Sequence, residues 1–167
     1  QKTMQRKLEI LVREIQEKNE VLNFISESDA LTGCMNRRGF IEKTLQMNRD
    51  HEGEELLILF ADLDHLKEIN DSFGHIEGDF SIRHCAEVLK KVVGADGIVG
   101  RIGGDEFCVV TLGNLKDGQQ IIERIREESD AFNCTSDKEY YVELSAGCTS
   151  VICRNGLVIA DALREAD

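Results

Sequence analysis

The sequence predicts an α+β domain whose central, mostly antiparallel sheet is flanked by helices and preceded by one long helix. Three observations carry this prediction: an amphipathic segment over residues 1–26, a near-continuous apolar run at 56–63, and the paired glycines Gly103 and Gly104 between two short apolar runs. Helical periodicity, buried-strand composition and the hairpin signal give the order helix, helix, strand, helix, helix, hairpin, helix, strand, helix.

Composition restricts the classes of partner. The 167 residues include 20 basic and 32 acidic side chains, a net charge of −12. An excess of acid argues against nucleic acid or an anionic membrane as a partner, and it means that a phosphate ligand needs metal ions or local basic groups. The six cysteines are scattered without a C-x-x-C pair, which favours free thiols in a reducing cytoplasm over zinc or disulfide chemistry.

The first helix, residues 1–26, carries apolar residues at alternating spacings of four and three, typical of a coiled-coil seam. The seam consists of Met4, Leu8, Leu11, Ile15, Leu22 and Ile25, with Lys18 as a polar interruption. Docking on its own domain is the alternative, but so charged a helix has little else to bury, so we expect a parallel homodimer. Because the chain starts at Gln1, we expect residues 1–27 to connect an upstream sensory domain, as in a membrane-bound receptor, to a domain at 28–167.

The next segment reads as a helix stop, a turn at Thr32-Gly33 and a new helix with Asn36 as its N-cap. The apolar run at 56–63 then has the composition of a central strand that is buried on both faces.

Acidic residues follow two of the predicted strands or turns. Asp62 and Asp64 end the buried strand, where charge is costly unless it is paired, although solvation at a strand end is the alternative. Asp105 and Glu106 follow the paired glycines, and an ordinary hairpin tip is the alternative there. If the two sites meet, their carboxylates suit a hard divalent cation, which in turn can hold phosphate.

The remaining elements follow from periodicity and capping signals. A helix begins directly after Asp64, and another runs over 79–93 with Asp79 as its N-cap. Asp117 and Gln120 resemble a capping box that opens a helix over 117–132. Alternation over 140–148 predicts a half-buried strand, and residues 157–167 begin a last helix.

The string R-x-G-G-D-E-F at 101–107 resembles the signature of the GGDEF family of diguanylate cyclases. Further matches are D-x-L-T-G-x-x-N-R-R at 29–38, with Cys34 where leucine is commoner, D-x-D-x-F-K-x-x-N-D at 62–71, with Leu66 for phenylalanine, and F-G-H-x-x-G-D at 73–79. The resemblance covers about residues 28–167. It implies a palm-type nucleotide cyclase fold and a dimeric, Mg²⁺- or Mn²⁺-dependent enzyme that condenses two GTP into cyclic di-GMP and two pyrophosphates.

The resemblance also implies a role for individual residues. Asp62, the carbonyl of Leu63 and Asp105 would bind the metal, while Glu106 would either help to deprotonate the ribose 3′-hydroxyl or bind a second metal. The catalytic pair is therefore Asp105 and Glu106. The substrate-binding set has three parts: the guanine contacts Asn70 and Asp79; the phosphate contacts Lys67 and the amides of His65 and Leu66; and Gly103 and Gly104, which let the ligand approach the backbone.

Besides Cys34 and Leu66, the sequence departs from the family pattern at two further places. The family's last helix continues into a lysine and an arginine that touch the triphosphate, whereas this sequence stops at Asp167, so we expect an incomplete C-terminal helix. Gly94 and Gly97 occupy the arginine and aspartate positions of the family's inhibitory product site, so no such site is expected. The alternative function is a catalytically silent nucleotide-sensing or dimerisation module, whose G-G-[DE]-E-F string is usually broken, whereas here it is intact.

Overall fold

The computed structural model describes residues 2–156 and contains five helices and four strands. In chain order these are α1 Lys2–Glu27, α2 Arg37–Asp50, β1 Glu55–Leu63, α3 Leu66–Phe73, α4 His75–Val93, β2 Ile98–Arg101, β3 Glu106–Leu112, α5 Leu115–Thr135 and β4 Leu144–Ile152. The strands form one antiparallel sheet in the order β2-β3-β1-β4. The predicted fold class is confirmed. The helix predicted over 157–167 lies outside the described residues.

The central strand β1 is buried on both faces of the sheet, as its apolar run predicts. Successive residues of a strand point to opposite faces, and Leu59 packs with Leu89 and Ile125, which come from α4 and α5. Ile58 packs on the other face with Phe40 from α2. Each face of the sheet is therefore covered by its own cluster of buried side chains. All six cysteines are free, and four of them are buried.

Helix α1 stands apart from both clusters, since none of its described residues is buried. Its apolar seam faces solvent and has no partner within residues 2–156; Leu11 and Leu22, for example, are 54% and 62% exposed. In the same part of the chain, no helix is long and apolar enough to cross a membrane. Burial of this seam therefore requires contacts outside the described chain.

The end of α1 is bound firmly to the start of α2. The predicted N-cap is confirmed: the Asn36 side chain accepts a hydrogen bond from Gly39 N at 2.9 Å. The Asn36 amide Nδ2 donates to the carbonyl of Ser26 at 2.7 Å, and its backbone N donates to Glu27 O at 2.7 Å. One residue thus satisfies the free groups of both helix ends.

Two predicted helix starts are wrong by a few residues. Asp79 is not an N-cap, because α4 already begins at His75 after Gly74, which has φ +90° and ends α3. The second start is also earlier: Asn114 is the N-cap of α5, and Asp117 is the acid that completes its capping box with the Asn114 backbone. At α5 the prediction mistakes the second partner of the capping box for the first. At α4 the N-cap is Gly74, which makes no side-chain cap hydrogen bond and so gives no capping signal in the sequence.

The last strand begins at Leu144, four residues after its predicted start at Tyr140. The cause is a side chain from α5: Asn133 accepts a hydrogen bond from Val142 N at 2.9 Å and donates to Val142 O at 3.1 Å. These bonds occupy the backbone groups that a sheet ladder would use. From Leu144 onward the predicted half-buried alternation is present.

Candidate active site

Three carboxylates from the neighbouring strands β1 and β3 meet at one end of the sheet. Asp62 pairs in register with Glu106, and Leu63 N donates to Asp105 O at 2.9 Å. This register brings one oxygen each of Asp62, Asp105 and Glu106 within 4.8 Å of one another. Clustered hard oxygen donors are what Mg²⁺ and Mn²⁺ bind, so the residues present fit a divalent ion.

The electrostatics of this acidic cluster favour a cation. Partial burial raises the pKa of Asp62, and the charges of Asp105 and Asp64 raise it further. A cation near the cluster would offset this repulsion. Asp64 itself is held to β4, where its carboxylate accepts the Ser145 hydroxyl at 2.8 and 2.9 Å. Asp64 therefore shapes the loop and adds charge from outside the cluster of three.

The hairpin turn between β2 and β3 carries two of the three acids. Ile102 N and Gly103 N both donate to Glu106 O, at 2.9 and 3.3 Å. A Cβ on Gly103 would lie 2.4 Å from Glu106 Oε2. Any side chain at this position would push the Glu106 carboxylate aside, so the glycine is needed for the close approach.

Arg101 joins the same turn to the segment at 28–36, which connects α1 to α2. Its guanidinium donates to Gly104 O at 2.8 and 3.1 Å and to the Asp29 carboxylate at 3.2 and 3.3 Å. Partial burial raises the pKa of Asp29, but hydrogen bonds from Thr32 and the Arg101 charge outweigh this, so the net pKa is lowered. The ion pair joins the segment after α1 to the turn that carries the acids.

The residues predicted to meet phosphate lie where β1 passes into α3. His65 has φ 59° and turns the chain so that α3 begins at Leu66. Its ring Nδ1 lies 2.5 Å from Glu68 Oε2. Lys67 is exposed and makes no ion pair with any residue in the described range 2–156. The first amides of the helix and one lysine are thus placed directly after Asp62 and Leu63 in the chain.

The two residues predicted to contact guanine lie on packed, consecutive helices. Asn70 is on α3, and Asp79 is exposed in the second turn of α4. A Cβ on Gly78 would lie 1.8 Å from Asn70 Oδ1, so the Asn70 carboxamide rests directly on the backbone beside Asp79. The turn at Gly74 brings the two helices together in this way.

A group of residues that sequence reasoning missed lies behind this helix pair. Glu77 accepts hydrogen bonds from Lys138 Nζ at 2.7 Å and from the Tyr140 hydroxyl. The Tyr140 ring packs on Phe73 with centroids 5.0 Å apart, and Lys138 Nζ lies 4.4 Å from the centroid of Phe80. Glu77 and Lys138 are 61 residues apart in the chain, so no local pattern indicates the contact.

The four-stranded antiparallel sheet with its flanking helices, preceded by a long helix, defines a palm-type nucleotide cyclase fold. The family model "Diguanylate cyclase, GGDEF domain" matches residues 26–167. The chain belongs to the GGDEF family.

Relatives agree with this assignment. The chain is 37% identical over 147 residues to "Diguanylate cyclase DgcP" of Escherichia coli K12, covering 86% of this chain and 43% of that protein, so it spans less than half of this relative's length. It resembles diguanylate cyclase SiaD of Pseudomonas aeruginosa, solved with its activator SiaC, with TM-score 0.75, 27% identity and coverage of 99% and 67%. The coiled coil and GGDEF domain of DgcB from Caulobacter crescentus, solved with c-di-GMP, shares the fold at TM-score 0.82 and 23% identity, with coverage of 99% and 90%.

Proposed function

We propose that this chain is a diguanylate cyclase, which condenses two GTP into cyclic di-GMP and two pyrophosphates as a homodimer with Mg²⁺ or Mn²⁺. The observation that carries the proposal is the meeting of Asp62, Asp105 and Glu106 within 4.8 Å at the end of β1 and β3. Membership of the GGDEF family supports it. In this proposal residues 1–27 form the signalling helix, and residues 28–167 form the cyclase domain.

The acidic cluster supplies the ion site of the reaction. Asp62, Asp105 and the carbonyl of Leu63 would hold a divalent ion there, and such an ion would supply positive charge to offset the charge on the reacting α-phosphate and on the leaving pyrophosphate. Glu106 accepts the proton of the attacking 3′-hydroxyl or binds a second ion, and its place beside Asp62 in the β1–β3 register suits both tasks.

The substrate lies across the end of the sheet in this proposal. Its phosphates meet the amides of His65 and Leu66 and the charge of Lys67, at the beginning of α3, where free N–H groups favour an anion. Gly103 and Gly104 let the phosphates approach the backbone of the turn. The base lies at the other end of α3, where Asn70 and Asp79 match the donors and acceptors of guanine.

The experiment that tests the proposal is incubation of the protein with GTP and Mg²⁺. Cyclic di-GMP and pyrophosphate in a ratio of one to two are expected. Binding of GTP without any product would contradict the cyclase and would identify the silent nucleotide-sensing module instead.

The base preference follows from the chemistry of Asp79. In the proposed site its carboxylate accepts hydrogen bonds from the guanine N1–H and from the guanine amine at C2. Adenine has neither of these donors, because its N1 carries no hydrogen and its amine is at C6. Asp79 is exposed in the structure, but a bound base would cover it. A carboxylate that is covered without a donor rejects the ligand strongly, so kcat/KM for ATP should be lower than that for GTP by at least about 10³-fold. Mixed GMP–AMP product should be absent when both nucleotides are supplied. Comparable turnover of the two, measured by chromatography of the products, would contradict the assignment of Asp79.

Product inhibition should be absent at the loop before β2. The position that would need arginine is Gly94, whose φ of +81° also disfavours any side chain, and the aspartate position is Gly97. Without an arginine to stack on a guanine, titration of cyclic di-GMP into the nucleotide-free protein should give no tight isotherm at this surface. A submicromolar isotherm that persists when the GTP site is blocked would show that the loop binds product by other means.

A further inference from the structure

We propose that Glu77, Lys138 and Tyr140 form a positioning cluster that fixes Asp79 relative to Asn70 and so sets the recognition of guanine. The inference rests on the proposed function, since it concerns the same nucleotide site. None of the three is proposed to touch the substrate. They act through the first two turns of α4 and the end of α3.

The cluster binds α4 to the loop before β4. Lys138 and Tyr140 both donate to the carboxylate of Glu77, which lies in the first turn of α4. The ion pair is largely shielded from water, because the side chains of Lys138 and Glu77 are 27% and 29% exposed. Lys138 Nζ also lies 4.4 Å from the ring centroid of Phe80, which is the residue after Asp79. Two contacts on either side of Asp79 therefore hold this stretch of helix.

The same tyrosine reaches the other helix of the pair. The Tyr140 ring packs on Phe73 at 5.0 Å between centroids, and Phe73 is the last residue of α3, three positions after Asn70. One side chain thus contacts the C-terminal end of α3 through its ring and the N-terminal turn of α4 through its hydroxyl. The turn at Gly74 between the helices has no side chain of its own to restrain it.

The protonation states keep the contacts in place near neutral pH. Hydrogen bonds from Lys138 and then Tyr140 lower the pKa of Glu77. Burial, and then the hydrogen bond to Glu77, raises the pKa of Tyr140 to about 12. The carboxylate is therefore charged and the phenol keeps its proton, which is the combination that gives a strong charge-assisted hydrogen bond.

Gly78 connects the cluster to the guanine site. Asn70 Oδ1 rests against the backbone of Gly78, where a Cβ would lie 1.8 Å away. Gly78 stands between Glu77, which the cluster holds, and Asp79, which is proposed to read guanine. A rotation of this first stretch of α4 would move Asp79 and displace the Asn70 carboxamide together. Binding of the base needs both groups in place, so loss of the cluster should weaken nucleotide binding more than chemistry.

The test compares Tyr140→Phe with the matched control Tyr141→Phe. Tyr141 is 70% exposed, and its hydroxyl has no hydrogen bond among residues 2–156. Tyr140→Phe keeps the ring on Phe73 and removes only the hydroxyl. We expect KM for GTP to rise about fivefold to tenfold in Tyr140→Phe with kcat within about twofold of wild type, because a bond to a charged group is lost outside the reacting centre. Tyr141→Phe should leave both constants unchanged.

A second readout separates positioning from general loosening of the fold. Inosine triphosphate lacks the exocyclic amine that Asp79 is proposed to bind. If Asp79 is displaced, the preference for GTP over inosine triphosphate should fall by about the same factor as KM rises. Lys138→Met, which keeps most of the side-chain length and removes the charge, should show the same two changes. Thermal unfolding of both variants shows whether they are folded at the assay temperature.

The outcomes distinguish this inference from the cyclase proposal. One outcome is that the wild-type protein turns over GTP while Tyr140→Phe and Lys138→Met keep the wild-type KM and nucleotide preference. That outcome would overturn the positioning cluster alone. A wild type that binds GTP without turnover would overturn the cyclase alone, and the cluster is then judged by calorimetric affinities for GTP and inosine triphosphate in the same variants. A wild type that binds neither nucleotide would overturn both.

Discussion

Asp105→Asn should reduce the proposed cyclase turnover by at least about 10³-fold, because it removes a charged ligand from the proposed ion site, where the ion would stabilise the transition state. Mg²⁺-dependent binding of GTP should weaken as well. The fold should survive, since Asp105 is partly exposed and its charge raises the pKa of Asp62 by repulsion. Removal of that charge relieves the repulsion, so Tm should stay equal or rise while activity is lost. Product analysis and thermal unfolding of the same sample measure both effects.

Asp130→Asn is the matched control for this variant. It makes the same chemical change at an exposed position on α5, where the carboxylate has no ion pair among residues 2–156. Turnover and metal dependence of the control should equal those of wild type. Retained activity in Asp105→Asn would rule out the assignment of the ion site to Asp62 and Asp105.

Replacing Leu11 and Leu22 with glutamate should give a monomer whose activity at micromolar protein is roughly 10²- to 10³-fold below wild type. In the proposed reaction each domain holds one GTP, so two domains must face each other, and a coiled coil would keep them at an effective concentration of about a millimolar. Both leucines belong to the exposed seam of α1 and are more than half exposed, at 54% and 62%. A buried carboxylate at either seam position opposes association. Light scattering across a dilution series and the dependence of specific activity on protein concentration measure the two effects.

Gln16→Glu with Asn23→Glu controls for added charge. Gln16 and Asn23 lie on the outer face of α1, away from the seam. Glutamate at these two positions adds the same two negative charges as the seam variant. The control pair should remain dimeric and active. A wild-type protein that is monomeric at high micromolar concentration would exclude the seam as the dimer interface.

The sequence predicts those parts of the fold that depend on strong local signals. The apolar run that became β1, the seam of α1 and the N-cap at Asn36 each depend on residues close together in the chain, and all three are present in the structure. Helix starts at Gly74 and Asn114 were missed because glycine and asparagine give weaker signals than the acids that follow them. The start of β4 was missed because Asn133, a distant side chain, occupies the backbone of Val142.

The same distinction applies to the candidate site. Asp62 and Asp105 could be placed at strand ends from the sequence, and the β1–β3 register then brings them together with Glu106. The contacts that support the site cannot be predicted from the sequence. Arg101 meets Asp29 across 72 residues and Tyr140 meets Glu77 across 63, and only the folded arrangement of the helices makes these pairs neighbours.

The ion pair of Arg101 has a consequence for local unfolding. The guanidinium is shared between Asp29, just after α1, and Gly104 O in the turn, and its side chain is only 16% exposed. Separating Asp29 from the hairpin would leave a cation partly withdrawn from water without its counter-ion, which is costly. We therefore expect the segment at 28–36 and the acid-bearing turn to open as one cooperative unit, with a single protection level for their amides in hydrogen exchange.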